Sequence, residues 1–168
     1  MKVVITGHTS GIGLALTRKF PNYIGLSRSN NCNINDNEII SKIKDADVFI
    51  NNAYDKFKQI DLLYNVWEIW KDTKKIICCI SSNSPDGYKQ HPHPYAVHKE
   101  GLDFACMQLN NLGKPCRIIN VRPGYVDTPR VKNVQYPKIN PDELAEQIKN
   151  LIYLNNSYWV SSITIVPS

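Results

Sequence analysis

Short apolar runs recur along the chain, and between them apolar residues fall every three or four positions. The runs VVIT (3–6), YIGLS (23–27), DVFIN (47–51), KIICCIS (75–81), CRIINV (116–121) and SSITIV (161–166) are rich in β-branched residues and too short for helices, so they predict buried strands. The intervening stretches predict helices at about 12–20, 37–45, 57–72, 94–113 and 141–154. Asp36 or Asn37 is a candidate cap for the second, and Pro141, followed by Asp142 and Glu143, opens the last as first-turn residues should. Asn31 to Ile34 predicts a further, very short strand. Strand and helix alternate throughout, the signature of an α/β protein with a doubly wound parallel sheet and helices on both faces.

A chain of 168 residues fits one domain over its whole length, and no internal repeat, low-complexity linker or composition break divides it. With 42% hydrophobic and 21% charged residues, the chain reads as an ordinary globular protein, and no apolar run approaches the ~20 residues that span a bilayer. The opening MKVVITGHTS passes straight from a short apolar run into a glycine turn, without the apolar region and cleavage site of a secretory signal. Cys32, Cys78, Cys79, Cys106 and Cys116 are odd in number and lack CxxC spacing, which predicts reduced thiols in a cytoplasmic protein. The net charge of +5 is dispersed and not interleaved with aromatic residues, so it argues against nucleic-acid binding and for mild attraction of anionic ligands.

The segment VVITGHTSGIGLAL carries Gly7, Gly11 and Gly13 from a predicted strand into a predicted helix. Glycines there let the backbone turn sharply and approach a pyrophosphate, whose charge then sits on the amide-rich helix N-terminus of a Rossmann-type fold. The bland reading is a plain strand-to-helix turn. The end of the second predicted strand discriminates between nicotinamide cofactors: an acid would accept from the ribose 2′-hydroxyl, whereas an arginine would pair with a 2′-phosphate. Here Ser27 and Arg28 stand there, with no acid until Asp36, which predicts NADP(H) rather than NAD(H); the competing reading is that Arg28 merely faces solvent.

Tyr95 and Lys99 lie four apart on a predicted helix, hence on one face. A phenol, with an ordinary pKa near ~10, is a poor acid-base group at neutral pH, and a neighbouring ammonium is expected to lower it. Ser82 lies at the C-terminal end of the strand KIICCIS, just past Ser81, where a ligand crevice opens beyond the carboxyl ends of a parallel sheet. Ser81 is its competitor, since neighbouring strand positions face opposite ways. His91, His93 and His98 cluster nearby: His98 is expected on the surface, and His91 and His93 as substrate neighbours. HPH supplies two ligands at most, so no metal site is expected.

TGHTSGIG (6–13), VFINNA (48–53), ISS (80–82), YAVHK (95–99) and RPGYVDT (122–128) follow one another along most of the chain, and together they resemble the short-chain dehydrogenase/reductase family in an unusually short version. The thirteen positions from Ser82 to Tyr95 match the family's spacing. The resemblance implies an NAD(P)-dependent oxidoreductase of the carbonyl reductase or alcohol dehydrogenase type, with Ser82, Tyr95 and Lys99 as its catalytic set. It implies cofactor contacts at Gly7, Ser10, Gly11, Ile12, Arg28, Asn33, Ile34, Asn52, Ala53, Tyr95, Lys99, Pro123, Gly124, Val126 and Thr128. Lys99 would also hold the nicotinamide ribose, and Asn33 and Ile34 would bracket the adenine.

The chain departs from the pattern in three places. Tyr54 replaces the glycine of NNAG, where a phenol would stack over the site or partly close it. The family's fourth catalytic residue, an asparagine, has only Asn65 as a counterpart, with a plain surface residue as the even alternative. The segment after RPGYVDT is reduced to PRVKNVQYPK, which predicts an open pocket for a bulky or carrier-linked carbonyl. Tyr88, Tyr125 and Trp159 are candidate wall residues or ordinary packing. The partners expected are a small-molecule or carrier-linked carbonyl or alcohol and, by analogy, a second copy of the chain. A dinucleotide-binding sensor without chemistry is the alternative function, and an epimerase of the extended relatives fits the glycine spacing less well.

Overall fold

A computed structural model describes residues 1–34, 38–87, 91–154 and 157–168. The strands are β1 (Val3–Thr6), β2 (Tyr23–Leu26), β3 (Val48–Asn51), β4 (Ile76–Ile80), β5 (Arg117–Pro123) and β6 (Ser162–Ile165). The helices are α1 (Gly11–Lys19), α2 (Ile39–Ile43), α3 (Lys58–Trp70), α4 (Pro94–Asn111) and α5 (Pro141–Ile152). The six strands form one sheet in the order β2-β1-β3-β4-β5-β6, with every neighbouring pair parallel.

Strand alternation sends neighbouring residues to opposite faces, and each face has its own apolar layer. Val4, Phe49, Ile77 and Ile118 meet Leu62, Val66, Trp70, Leu102 and Leu109 of α3 and α4. Val3, Ile5, Val48, Ile50 and Val121 meet Leu16 of α1 and Leu144 and Ile148 of α5. Both faces are thus covered, which is why the strands read as continuous apolar runs. Fully buried side chains such as Phe49 and Trp70 each stabilise the fold by about 2–3 kcal/mol. All five cysteines are buried free thiols. No helix among the described residues is long and apolar enough to cross a membrane.

From β1 the chain moves outward to β2, then returns to lay β3 on the other side of β1. That reversal splits the loops at the carboxyl ends of β1 and β3 and creates a crevice between them. Asn140 caps α5 by accepting from the Asp142 backbone N–H at 2.8 Å, one residue ahead of the proline that marks its start in the sequence.

Two sequence expectations change here. Asn31 to Ile34 is not a strand. Arg28–Asn30 forms a 3-10 turn in which Asn30 Oδ1 accepts from the Ser27 N–H at 2.8 Å, and Asn31 ends it with φ at +56°. Local bonding by Ser and Asn side chains outcompetes strand pairing. Helix α2 is shorter than expected and follows Glu38, whose side chain makes no capping bond; the candidate caps Asp36 and Asn37 lie outside the described residues.

Candidate active site

The loop between β1 and α1 is fixed by backbone geometry and neutral hydrogen bonds. Thr6 Oγ1 accepts from the N–H groups of Asn52 and Ala53, each at 3.0 Å, and donates to the Ile50 carbonyl at 3.3 Å. Asn52 Nδ2 donates to the Thr6 carbonyl at 2.9 Å, so Asn52 and Ala53 tie the tip of β3 to the glycine loop. Gly7 takes φ +67°, and a Cβ on Gly13 would stand 2.0 Å from the Gly7 carbonyl oxygen. Only a bare backbone fits where the loop doubles back on α1. Ser10 is extended and its hydroxyl does not cap α1, which leaves the first-turn amides to an anion. Thr128, from the far side of the sheet, closes on this loop: a Cβ on Gly11 would meet Thr128 Cγ2 at 3.2 Å. This cradle fits a pyrophosphate.

Arg28 follows β2 at the same rim, exposed and without an ion pair among the described residues. Asn33 is half-buried, and Ile34 packs onto the α3/α4 layer. Ile12 and Val126 pack into the α1/α5 layer. Pro123 ends β5, and Gly124 donates its N–H to the Ile165 carbonyl at 2.8 Å.

Across the crevice, the ends of β4 and α4 bring Ser82, Tyr95 and Lys99 together. Ser82 Oγ accepts from the Ser84 N–H at 3.1 Å, and its interaction with the Tyr95 phenol favours the phenolate. Ser81 turns the other way, its hydroxyl at 3.5 Å from the Lys99 carbonyl. Lys99 is 3% exposed; its Nζ donates to Gln59 Oε1 and to the Ile80 carbonyl, both at 2.8 Å, and lies 5.7 Å from the Tyr95 ring centre. Burial pushes the Lys99 ammonium down to about 7. Tyr95 departs from expectation. Burial raises its pKa above the ordinary phenol value, outweighing the Ser82 hydrogen bond and the positive charge of Arg130, both of which favour the phenolate. The phenol is therefore protonated at neutral pH.

Tyr54 sits inside this cluster. Its ring meets Tyr95 edge-on at 5.0 Å, Lys99 Nζ lies 5.4 Å from its centre, and its hydroxyl is 2.7 Å from His98 Nδ1. Burial raises the Tyr54 pKa, and Arg130 opposes it. His98, expected on the surface, is half-buried, bonded to Tyr54 and edge-on to Phe57 at 4.5 Å. The phenol that replaces a glycine gives the histidine an inward partner. From the short segment after RPGYVDT, Arg130 lays its guanidinium 5.7 Å from the Tyr54 ring centre. His93 precedes α4, 6.0 Å from the Tyr95 ring, with Nε2 at 3.2 Å from Ser84 Oγ; His91 is exposed.

Asn65 does not join the site. It lies on the exposed face of α3, because the inward stripe there is Gln59, Leu62, Leu63, Val66, Trp67 and Trp70. Gln59 faces Lys99 instead. Its signal in the sequence is the phase of that stripe, which places a polar residue in line with apolar ones. Tyr125 stacks on Tyr136 at 5.7 Å, Trp159 packs against the α1/α5 layer, and Tyr88 lies outside the described residues.

No protein-family model and no curated protein matches the chain. Solved structures do. A short-chain dehydrogenase/reductase from Vibrio parahaemolyticus aligns with TM-score 0.74 at 19% identity, over 99% of this chain and 99% of that one. A 3-alpha-hydroxysteroid dehydrogenase from Pseudomonas sp. B-0831, complexed with NADH, aligns with TM-score 0.75 at 15% identity, over 99% and 94%. A short chain dehydrogenase from Burkholderia cenocepacia J2315, in complex with NADP, aligns with TM-score 0.77 at 16% identity, over 99% and 87%. The sheet and its helices are the fold of the short-chain dehydrogenase/reductases.

Proposed function

We propose that this chain is an NADP(H)-dependent short-chain dehydrogenase/reductase that interconverts a carbonyl compound and its alcohol, with Ser82, Tyr95 and Lys99 as its catalytic set. The observation that carries the reading is the gathering of a hydroxyl, a protonated phenol and a buried lysine on the rim that also bears the glycine cradle.

The residues that would hold the dinucleotide are the Gly7 to Gly13 loop and the first turn of α1 for its pyrophosphate, with Thr128 closing on that loop from across the sheet. A nicotinamide held there would supply hydride chemistry at the carbonyl carbon, in either direction. Ser82 Oγ, fixed by the Ser84 N–H, steadies the substrate oxygen. Tyr95, protonated at neutral pH, donates its proton to that oxygen during reduction. The positive charge of Arg130 then favours the phenolate left behind, with Lys99 Nζ 5.7 Å from the Tyr95 ring centre.

One neighbour holds NADH and another NADP, so the fold itself admits either cofactor. Arg28, exposed and unpaired among the described residues, supports the phosphorylated one, since an arginine pairs with a 2′-phosphate. The short segment carrying Arg130 supports a small-molecule or carrier-linked carbonyl.

NADPH oxidation against a panel of carbonyl compounds tests the reading. Tyr95→Phe is expected to lower kcat by about 100-fold or more while NADPH binding is unchanged; unchanged turnover would reject the acid. The edge-on contact of Tyr54 with Tyr95 favours a second reading, a dinucleotide sensor without chemistry. Tight NADPH binding with no turnover on any carbonyl would select it.

A further inference from the structure

We propose that Gln59 is the positioning residue of this site: its carboxamide holds Lys99 charged and in place beside Tyr95. The proposal rests on the reading that Lys99 serves proton transfer, but its test does not.

Gln59 is 1% exposed, in the first turn of α3, and its polar atoms are used in full view of one another. Its Nε2 donates to the Asn51 carbonyl at 2.7 Å and to the Ile80 carbonyl at 3.2 Å, and its backbone carbonyl accepts from Asn51 Nδ2 at 2.9 Å. With the nitrogen committed to two carbonyls, the amide has one orientation, and Oε1 is left facing Lys99 Nζ at 2.8 Å. The Ile80 carbonyl is shared by both side chains. Lys99 therefore has two fixed neutral acceptors. An acceptor aimed at an ammonium favours the charged form and opposes the cost of burying it.

The other groups around Lys99 do not duplicate this. Tyr54 and Tyr95 present their rings, at 5.4 and 5.7 Å from Nζ. Arg130 disfavours the ammonium, whereas Asp103, Cys79 and Cys106 favour it, and none of these is its hydrogen-bond partner. Gln59 is the one side chain among the described residues that bonds Nζ directly.

The test is an NMR titration of the full chain carrying 13C at the lysine ε carbons, with Lys99→Met to assign the signal. Lys99 is expected to titrate near about 7, far from ordinary lysines near ~10.4. Gln59→Leu is expected to lower that midpoint by about one pH unit, which cuts the charged fraction at pH 7 about fivefold. Gln59→Glu, of nearly the same shape, is expected to raise it by about one unit or more, and decides the matter alone if the leucine variant fails to fold. Asn65→Ala, on the outer face of the same helix, is expected to leave it in place. Midpoints unmoved by both Gln59 variants, raised in Gln59→Leu, or shifted as far by Asn65→Ala, overturn the proposal. With a carbonyl that is turned over, the pH profile of kcat is expected to move with the Lys99 midpoint while KM stays put; a uniform loss at every pH would show a merely structural role and overturn the proposal. Midpoints that move as stated in a protein without turnover retain the hold of Gln59 on Lys99 and reject the oxidoreductase reading alone.

Discussion

The two walls of the crevice are built on different physical terms. The wall formed by β1, α1 and the tip of β3 is backbone: positive φ at Gly7, a carbonyl where Gly13 allows no Cβ, and neutral bonds from Thr6 and Asn52. The wall formed by the ends of β4 and α4 is side chain: a buried lysine, two phenols, a histidine and a glutamine that fix one another. Shape decides the first wall and charge the second. They should therefore fail differently, the first to steric change at any pH and the second to changes of pH or polarity.

The largest effect is expected on the backbone wall. Gly13→Ala places a methyl 2.0 Å from the Gly7 carbonyl oxygen, so the loop must shift; a loss of about 3 kcal/mol, read from denaturant midpoints, and loss of NADPH binding are expected. Full stability in that variant would erase the contrast.

Next comes the side-chain wall, through pH. The Lys99 pKa is depressed in the folded chain, so between about 7 and the unfolded lysine value the unfolded state binds more protons and stability rises with pH. From pH 7 to 8.5 the gain is about 1–2 kcal/mol, and it is expected to vanish in Lys99→Met. Further up, the trend reverses. Burial raises the thiols of Cys78 and Cys116, and also Tyr95, so they hold protons that the unfolded chain releases, and their contribution is lost as pH rises past the ordinary thiol and phenol values. Urea midpoints at a series of pH values check both limbs.

The smallest effect is expected at the edge of the backbone wall, where one exposed charge stands beside a cradle made of shape. Arg28→Ala is expected to weaken NADPH binding about tenfold, leaving NADH binding and stability unchanged. Equal losses for both cofactors would remove Arg28 from the choice between them.

The inner strands were legible because they lie between two apolar layers, β6 because its apolar residues alternate with exposed polar ones, and α3 because it has one apolar stripe. The placement of Tyr95 and Lys99 on one helix and of Ser82 just past β4 was legible because helical spacing and strand-end position are local properties. What the sequence hid was contact between elements. Gln59 stands in phase with the apolar stripe of α3, but its partner Lys99 comes into view only when α3 packs against β4 and α4, and Asn65 loses its place by the same rotation. His98 needs Tyr54 across the crevice, and Arg130 needs the turn of Pro129–Val131 that brings it over that ring. The Tyr95 pKa needed burial, which spacing does not measure. Asn31 to Ile34 misled because a short apolar pair looks like a strand, when the Asn30 side chain has already tied the Ser27 N–H and the Gly25 carbonyl and the Ser27 carbonyl accepts from the Cys32 N–H.

One contact in the glycine loop ties two distant positions into a single inherited choice. The His8 ring lies over β2 where Gly25 sits, and a Cβ there would come within 2.4 Å of His8 Cγ. A side chain at position 25 forces the ring at position 8 out of its place, so the two positions constrain each other.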